Sequence, residues 1–373
     1  MASTGKPPFR ADHVGSLLRP QRLLDARNRH AKGGIDDAAL RAVEDECIRE
    51  VVRLQEDVGL QGITDGEFRR SYWHLDFLEQ IEGVHVTQGN FVSHFRRDDG
   101  SDVGFIPPTM TVDRKLNHVR DIQARDFEFL KAEVSRTPKV CIPSPSMLHF
   151  RGGRKAISED AYPDMDVFYS DLAHVYNEEV QALATLGLRY LQLDDTNFAY
   201  LCDDKIREAT QAMGEDPDEL PRTYCRLLNE SIRGRPADMS VTVHMCRGNY
   251  RSAWVAQGGY EPVADIIFNE LDVDGFFMEY DDERSGDFAP LRFLPAGKTV
   301  VLGVMTSKYA KLESADELKR RIDEAAKYAP LDQLAISAQC GFSSTVEGNE
   351  LTIDDEIAKL KRLVEVAEDV WGR

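Results

Sequence analysis

Short apolar runs rich in β-branched residues recur eight times along the chain, each followed by a longer stretch with helical periodicity. The runs are DHVGS (12–16), GITDGE (62–67), KVCIPSP (139–145), YLQLDD (190–195), SVTVHMC (240–246), GFFMEY (275–280), TVVLGVM (299–305) and LAISAQC (334–340). The spacing predicts helices over 36–58, 165–186, 217–233, 315–328 and 354–370. Eight β-then-α units are the number that closes a (β/α)8 TIM barrel, so the expected class is α/β with one barrel. Segment 81–125 breaks the rhythm. Its β-like stretches and turn signals predict an inserted hairpin or arm between strands 2 and 3.

A chain of 373 residues can be a single barrel with an insertion, and no linker or repeat divides it, so residues 1–373 are expected to form one domain. The opening MASTGKPPFRADH has no apolar signal region, and no run of about 18 apolar residues follows, which argues against secretion and membrane spanning. Six cysteines without framework spacing fit a reducing compartment, and a cytoplasmic location is expected. With 65 acidic against 46 basic residues the formal charge is −19, which disfavours nucleic acid and anionic lipid as partners. An anionic substrate would need local basic groups, for which Arg19, Arg22, Arg69, Arg70, Arg151, Arg154, Lys155 and Lys308 are candidates. A homo-oligomer is allowed, but no residue pattern specifies one.

The chemistry concentrates at the ends of the predicted strands. His244 and Cys246 alternate with Val241, Val243 and Met245, so in a strand both point away from the apolar row and can hold one metal. Glu279 ends GFFMEY, and Cys340 ends LAISAQC. Strict alternation after Ile336 would turn Cys340 outward, so it needs a bulge or a strand end before it. Imidazole, thiolate and carboxylate are zinc ligands, and barrel active sites are built at the carboxyl ends of strands. The structural alternative makes the cysteines small buried hydrophobes and His244 a satisfied core histidine.

Two thiolates make zinc a poor generator of hydroxide, whereas binding a substrate thiol lowers its pKa and leaves sulfur nucleophilic. Alkyl transfer to a thiol follows as the expected reaction class. Asp194 shares parity with Gln192, opposite Leu191 and Leu193, and should face the barrel interior. Asp194 and Glu67 are the best acceptors for a substrate ammonium, unless Arg69 or Arg70 pairs with the carboxylate instead. Ser16 in the HVGS turn can bind a carboxylate.

These residues, with the openings DHVGSLLRP and DGEFRR, make the chain resemble the catalytic barrel of cobalamin-independent methionine synthases, above all their short one-barrel relatives, from about residue 8 onward. The resemblance implies zinc (Zn2+) on His244, Cys246, Glu279 and Cys340, and homocysteine contacts at Ser16, Glu67 and Asp194. It further implies methyl transfer from a methyltetrahydrofolate to homocysteine, giving methionine. The chain departs from that pattern in having one barrel rather than two and in placing Lys308 where the family has a histidine thought to assist proton transfer. Phe150 stands only near the position of the aromatic residue that stacks on the pterin. Arg19, Arg70, Phe150 and Arg151 are the candidates for holding a donor or anion, and Lys308 is the candidate proton donor. Three other readings remain open or weaker. The same site could transfer an alkyl group to another thiol, as in epoxide opening; it could bind zinc or thiol without catalysis; and a uroporphyrinogen decarboxylase, a similar barrel, would have no use for the metal quartet.

Overall fold

The computed structural model describes residues 5–89, 93–97, 99–106 and 108–372. Its strands are β1 (Gly62–Ile63), β2 (Glu82–Thr87), β3 (Ser93–Arg96), β4 (Asp102–Phe105), β5 (Thr109–Asn117), β6 (Thr137–Pro138), β7 (Val140–Pro143), β8 (Tyr190–Asp195), β9 (Ser240–Met245), β10 (Gly275–Glu279), β11 (Thr299–Met305) and β12 (Leu334–Ala338). The fold is α/β. Its centre is a six-stranded sheet in the order β12-β11-β10-β9-β8-β7, parallel throughout.

Every residue of β8, β9 and β10 is buried, as expected of parallel strands covered on both faces. The period-two alternation then sorts side chains between the two faces. Leu191, Leu193, Val241, Val243, Phe276 and Met278 join the main core against the helices, while Phe277 packs with Val14, Val301 and Ala335 in a separate small cluster. Asp194 and His244 share the parity of Phe277, opposite the helix-packed row.

The first two predicted strands differ from expectation. Residues 12–16 form no ladder; the chain there makes a parallel bridge between Ala11 and Ile336, with Asp12 N donating to Ile336 O at 3.1 Å. Local groups compete for the backbone, since the Asp12 carboxylate accepts from Phe9 N and His13 N, and Gly15 has φ +134°. Of 62–67 only Gly62 and Ile63 pair, with Thr137 and Pro138, before Gly66 (φ +68°) and Glu67 (φ +58°) turn the chain.

The predicted helices form, with ends set by capping. The Asp37–Asp57 helix is capped by Asp36, and Met165–Leu186 ends on left-handed Gly187. Leu220–Ser231 starts later than predicted. The Ala315–Ala325 and Ile353–Trp371 helices carry capping boxes on Ser314 and Thr352. Within 81–125, β2 pairs antiparallel with β5 and β3 with β4, and Arg96 bridges to Trp254. Among the described residues no helix is long and apolar enough to cross a membrane.

Candidate metal and thiol site

His244 comes from β9, with Cys246 just past its end; Cys340 lies two residues beyond β12. That strand end, after a register shift between Gly303 and Met305 on β11, frees Cys340 from alternation. The ligand atoms of His244, Cys246 and Cys340 lie within 4.8 Å of one another. The two sulfurs are 3.4 Å apart. The ring of buried His244 faces these sulfurs, and among the described residues its nitrogens have no hydrogen-bond partner beyond them. The hydrogen bond from Cys246, opposed by burial and aided by His244 and Lys308, holds the Cys340 thiol well below its ordinary pKa. The same bond, with burial, pushes Cys246 well above its own. Two sulfurs and an imidazole this close together are a donor set that fits a soft or borderline metal ion such as zinc.

Glu279 stands outside that close group. Its Oε1 accepts from Arg247 N at 2.7 Å, and its buried Oε2 has no hydrogen-bond partner. Tyr260 OH accepts from Glu279 N at 3.0 Å and fixes the strand end.

A second close group joins Glu67, Cys141 and Asp194. Asp194 is the register partner of His244, and its Oδ1 accepts from Gln192 Nε2 at 2.7 Å. Burial and the neighbouring Glu67 push the Asp194 carboxyl up to about 7. Glu67 is gripped by the Arg70 guanidinium, whereas Arg69 turns to Glu44, Asp45 and Asp126. The strained φ of Glu67 is held by its own N–H donating to Asp65 Oδ1 at 2.8 Å. Ser16 Oγ accepts from Ser343 N at 3.4 Å.

A cavity of about 400 Å³ opens onto both groups, reaching Ser16, Glu67, Asp194, His244, Cys246 and Cys340. Arg70, Phe150 and Arg151 line it as well, and so do Phe95, Thr109 and Met110 from the 81–125 segment. Arg19 and Lys308 do not line it. Arg19 is buried scaffolding that donates to Ser343 Oγ, Glu67 O and Arg70 O. Lys308 is buried against Asp281, with Nζ to Oδ2 at 3.5 Å. Burial opposes its charge, but Asp281 and Glu279 raise its pKa. The sequence reading passed over Cys141 and His74, which carry no motif signal; their parity and neighbours emerge only in the folded chain.

The fold and this clustering define an α/β protein with a cysteine and histidine site able to hold a metal. Residues 143–369 match the family model "Cobalamin-independent synthase, Catalytic domain", and the chain belongs to that family. It is 44% identical over 370 residues to the uncharacterized protein YxjH of Bacillus subtilis (strain 168), covering 98% of this chain and 96% of that one. A methionine synthase of Pyrococcus abyssi (strain GE5 / Orsay) is 26% identical over 336 residues, 88% of this chain and 85% of that protein. Among solved structures, the putative vitamin-B12 independent methionine synthase of Listeria monocytogenes superposes with TM-score 0.78 at 37% identity, covering 99% of each chain.

Proposed function

We propose that this protein is a zinc-dependent methyltransferase that forms methionine by moving a methyl group from a methyltetrahydrofolate or another small donor to homocysteine. The observation that carries this reading is the meeting, in one cavity, of the His244, Cys246 and Cys340 group with Glu67, Asp194 and Ser16. His244, Cys246 and Cys340 would hold the metal, with Glu279 Oε2, which lacks a hydrogen bond and lies 3.9 Å from the Arg284 guanidinium, as a further ligand. Zinc there supplies a lowered thiol pKa and a sulfur that stays nucleophilic.

The chain's own residues do the rest. Asp194 and Glu67 receive the substrate ammonium, and Ser16 receives its carboxylate. The cavity wall excludes water around the sulfur and the methyl carbon. A sulfur lone pair forms the S–CH3 bond as the bond from methyl carbon to the donor heteroatom breaks, its electron pair leaving on the donor, which then takes up a proton. Lys308, engaged with Asp281, would act on that proton only through a rearrangement of the pair.

The same reading takes residues 1–373 as one cytoplasmic barrel, a reading supported by the bridge from Ala11 to Ile336 and the parallel pairing of β1 with β6, with 81–125 as an inserted arm that contributes to the cavity wall. Family membership and the thiol-binding groups favour homocysteine over an epoxide-opening reaction or passive metal storage.

The test is zinc content together with the zinc absorption edge before and after homocysteine is added. A sulfur ligand gained on addition is expected, and Cys340→Ser should lose both zinc and turnover. A fully active, zinc-replete Cys340→Ser protein would refute the reading.

A further inference from the structure

The strand pairing along one side of the cavity stops early. β1 and β6 pair only over Gly62–Ile63 and Thr137–Pro138, and the last backbone bond there runs from Lys139 N to Ile63 O at 2.8 Å. Beyond it the backbone of Thr64 is already committed: its N–H donates to Gln55 Oε1 at 2.9 Å, and its carbonyl accepts from Gln55 Nε2 at 2.8 Å. With both groups taken by the preceding helix, Thr64 offers nothing to β7, and the positive φ of Gly66 and Glu67 carries the chain away. Among the described residues no backbone hydrogen bond joins 64–67 to 140–143.

The gap is open space. A cavity of about 530 Å³ lies in it, between Thr64 and Asp65 on one side and Val140 and Cys141 on the other, and runs outward to Arg120 and Gln123. This seam reaches the inner face of the sheet. Cys141 is the register partner of Gln192 on the face that carries Asp194 and His244, and Lys139, of the same parity, lies 4.2 Å from the Phe277 ring centroid. The inner end of the seam stands at the proposed ammonium acceptors, since Cys141 forms one close group with Glu67 and Asp194. Glu67, Arg70, Tyr72 and Trp73 line the seam and the catalytic cavity alike, so they form the partition between the two. At its centre is the ion pair of Arg70 with Glu67, which Arg70 Nη1 anchors by donating to Ser344 O at 2.7 Å.

The seam wall carries both signs of charge: Asp65, Asp76 and Asp126 line it together with Arg69, Arg120 and Arg125. A lone cation or anion would be repelled by part of that wall, whereas a small zwitterion meets a partner for each of its ends.

We propose that this seam is a second amino-acid site, a passage by which the zwitterionic substrate and product travel between solvent and the metal centre, with the Arg70–Glu67 pair as its inner door. This rests on the methyl-transfer reading above. It adds that the arriving ammonium exchanges with the guanidinium on Glu67, so that the amino acid enters and leaves without crossing the space the methyl donor occupies.

The experiment narrows the outer seam and leaves the metal and ammonium groups alone. Gln80→Trp and Arg125→Trp each place an indole on its wall. Homocysteine association and dissociation are followed by stopped flow on the cobalt-loaded full chain, through the sulfur-to-cobalt absorption. The tryptophan variants should slow both steps by the same factor, at least about tenfold, and leave the dissociation constant at its wild-type value. Gln80→Ala, which fills nothing, should keep wild-type rates, and circular dichroism should show all three variants folded. Wild-type rates in both tryptophan variants overturn the proposal. So does a weaker affinity with an unchanged association rate, which places the effect on the bound state rather than on the way in. A wild type that binds no homocysteine would instead sink the underlying methyl-transfer reading.

Discussion

Asp194 and His244 are direct register partners on the adjacent parallel strands β8 and β9, so the carboxylate and the imidazole sit side by side on the same face of the sheet. Adjacent parallel strands run about 4.8 Å apart, which ties the position of the proposed ammonium acceptor to that of the proposed metal ligand without any loop between them. Asp194→Asn keeps the hydrogen bond from Gln192 and removes the charge. It should leave zinc content unchanged and raise the KM for homocysteine by about ten- to a hundredfold, as expected for loss of a buried charge-assisted contact. Steady-state kinetics alongside metal analysis checks this; an unchanged KM would remove Asp194 from substrate binding.

Gly341 follows the metal-ligand candidate Cys340 directly, and a Cβ there would lie 1.9 Å from Ser16 Oγ. Gly341→Ala must displace Ser16 or the loop carrying Cys340. We expect a folded protein with activity reduced at least about tenfold, since an ångström of misplacement can cost on the order of a hundredfold. Circular dichroism and turnover measured on the same preparation separate this from unfolding.

Lys139 and Asp12 form a fully buried ion pair at 3.2 Å, in which Asp12 also accepts from Tyr190 OH at 2.7 Å. The Lys139 ammonium lies 4.2 Å from the Phe277 ring centroid. Lys139→Met should destabilise the protein by about 3–5 kcal/mol, because the carboxylate is left buried and uncompensated. The double variant with Asp12→Asn should recover part of that loss, and denaturant titration of the four proteins yields the coupling directly.

Glu356 is buried with Leu18 N donating to its Oε2 at 2.9 Å, and burial pushes its carboxyl up to about 8. Between its ordinary value and about 8 the native state keeps the proton that the unfolded chain releases, so this group's contribution to stability falls as pH rises through that window. Glu356→Gln removes the titration and can still accept from Leu18 N. Its unfolding free energy should decline less than that of wild type from pH 5 to pH 9, by a few kcal/mol at the upper end. Parallel slopes for the two proteins would show that Glu356 is not the source.

Much of this was legible in the chain itself. The alternation in YLQLDD and SVTVHMC set which side chains share a face, because strand period is local geometry and strands buried on both faces tolerate no slip without exposing an apolar row. The helices expected from 36, 315 and 354 begin within two residues of those positions, at N-caps Asp36, Ser314 and Thr352, because periodicity and capping both act within a turn or two. Tertiary structure alone decided the rest. The chain at 12–16 lost its ladder to Asp12, whose carboxylate takes nearby N–H groups and pairs with Lys139, 127 residues away. Cys141 was brought beside Glu67 and Asp194 from three separate strand regions, and His74 was buried with no hydrogen-bond partner for its ring nitrogens. Arg19 and Lys308 were drawn off the cavity into buried contacts with carbonyls and with Asp281. Period and capping are short-range and therefore written locally, whereas the partner of a buried charge is set by whichever distant segment the packing brings within reach.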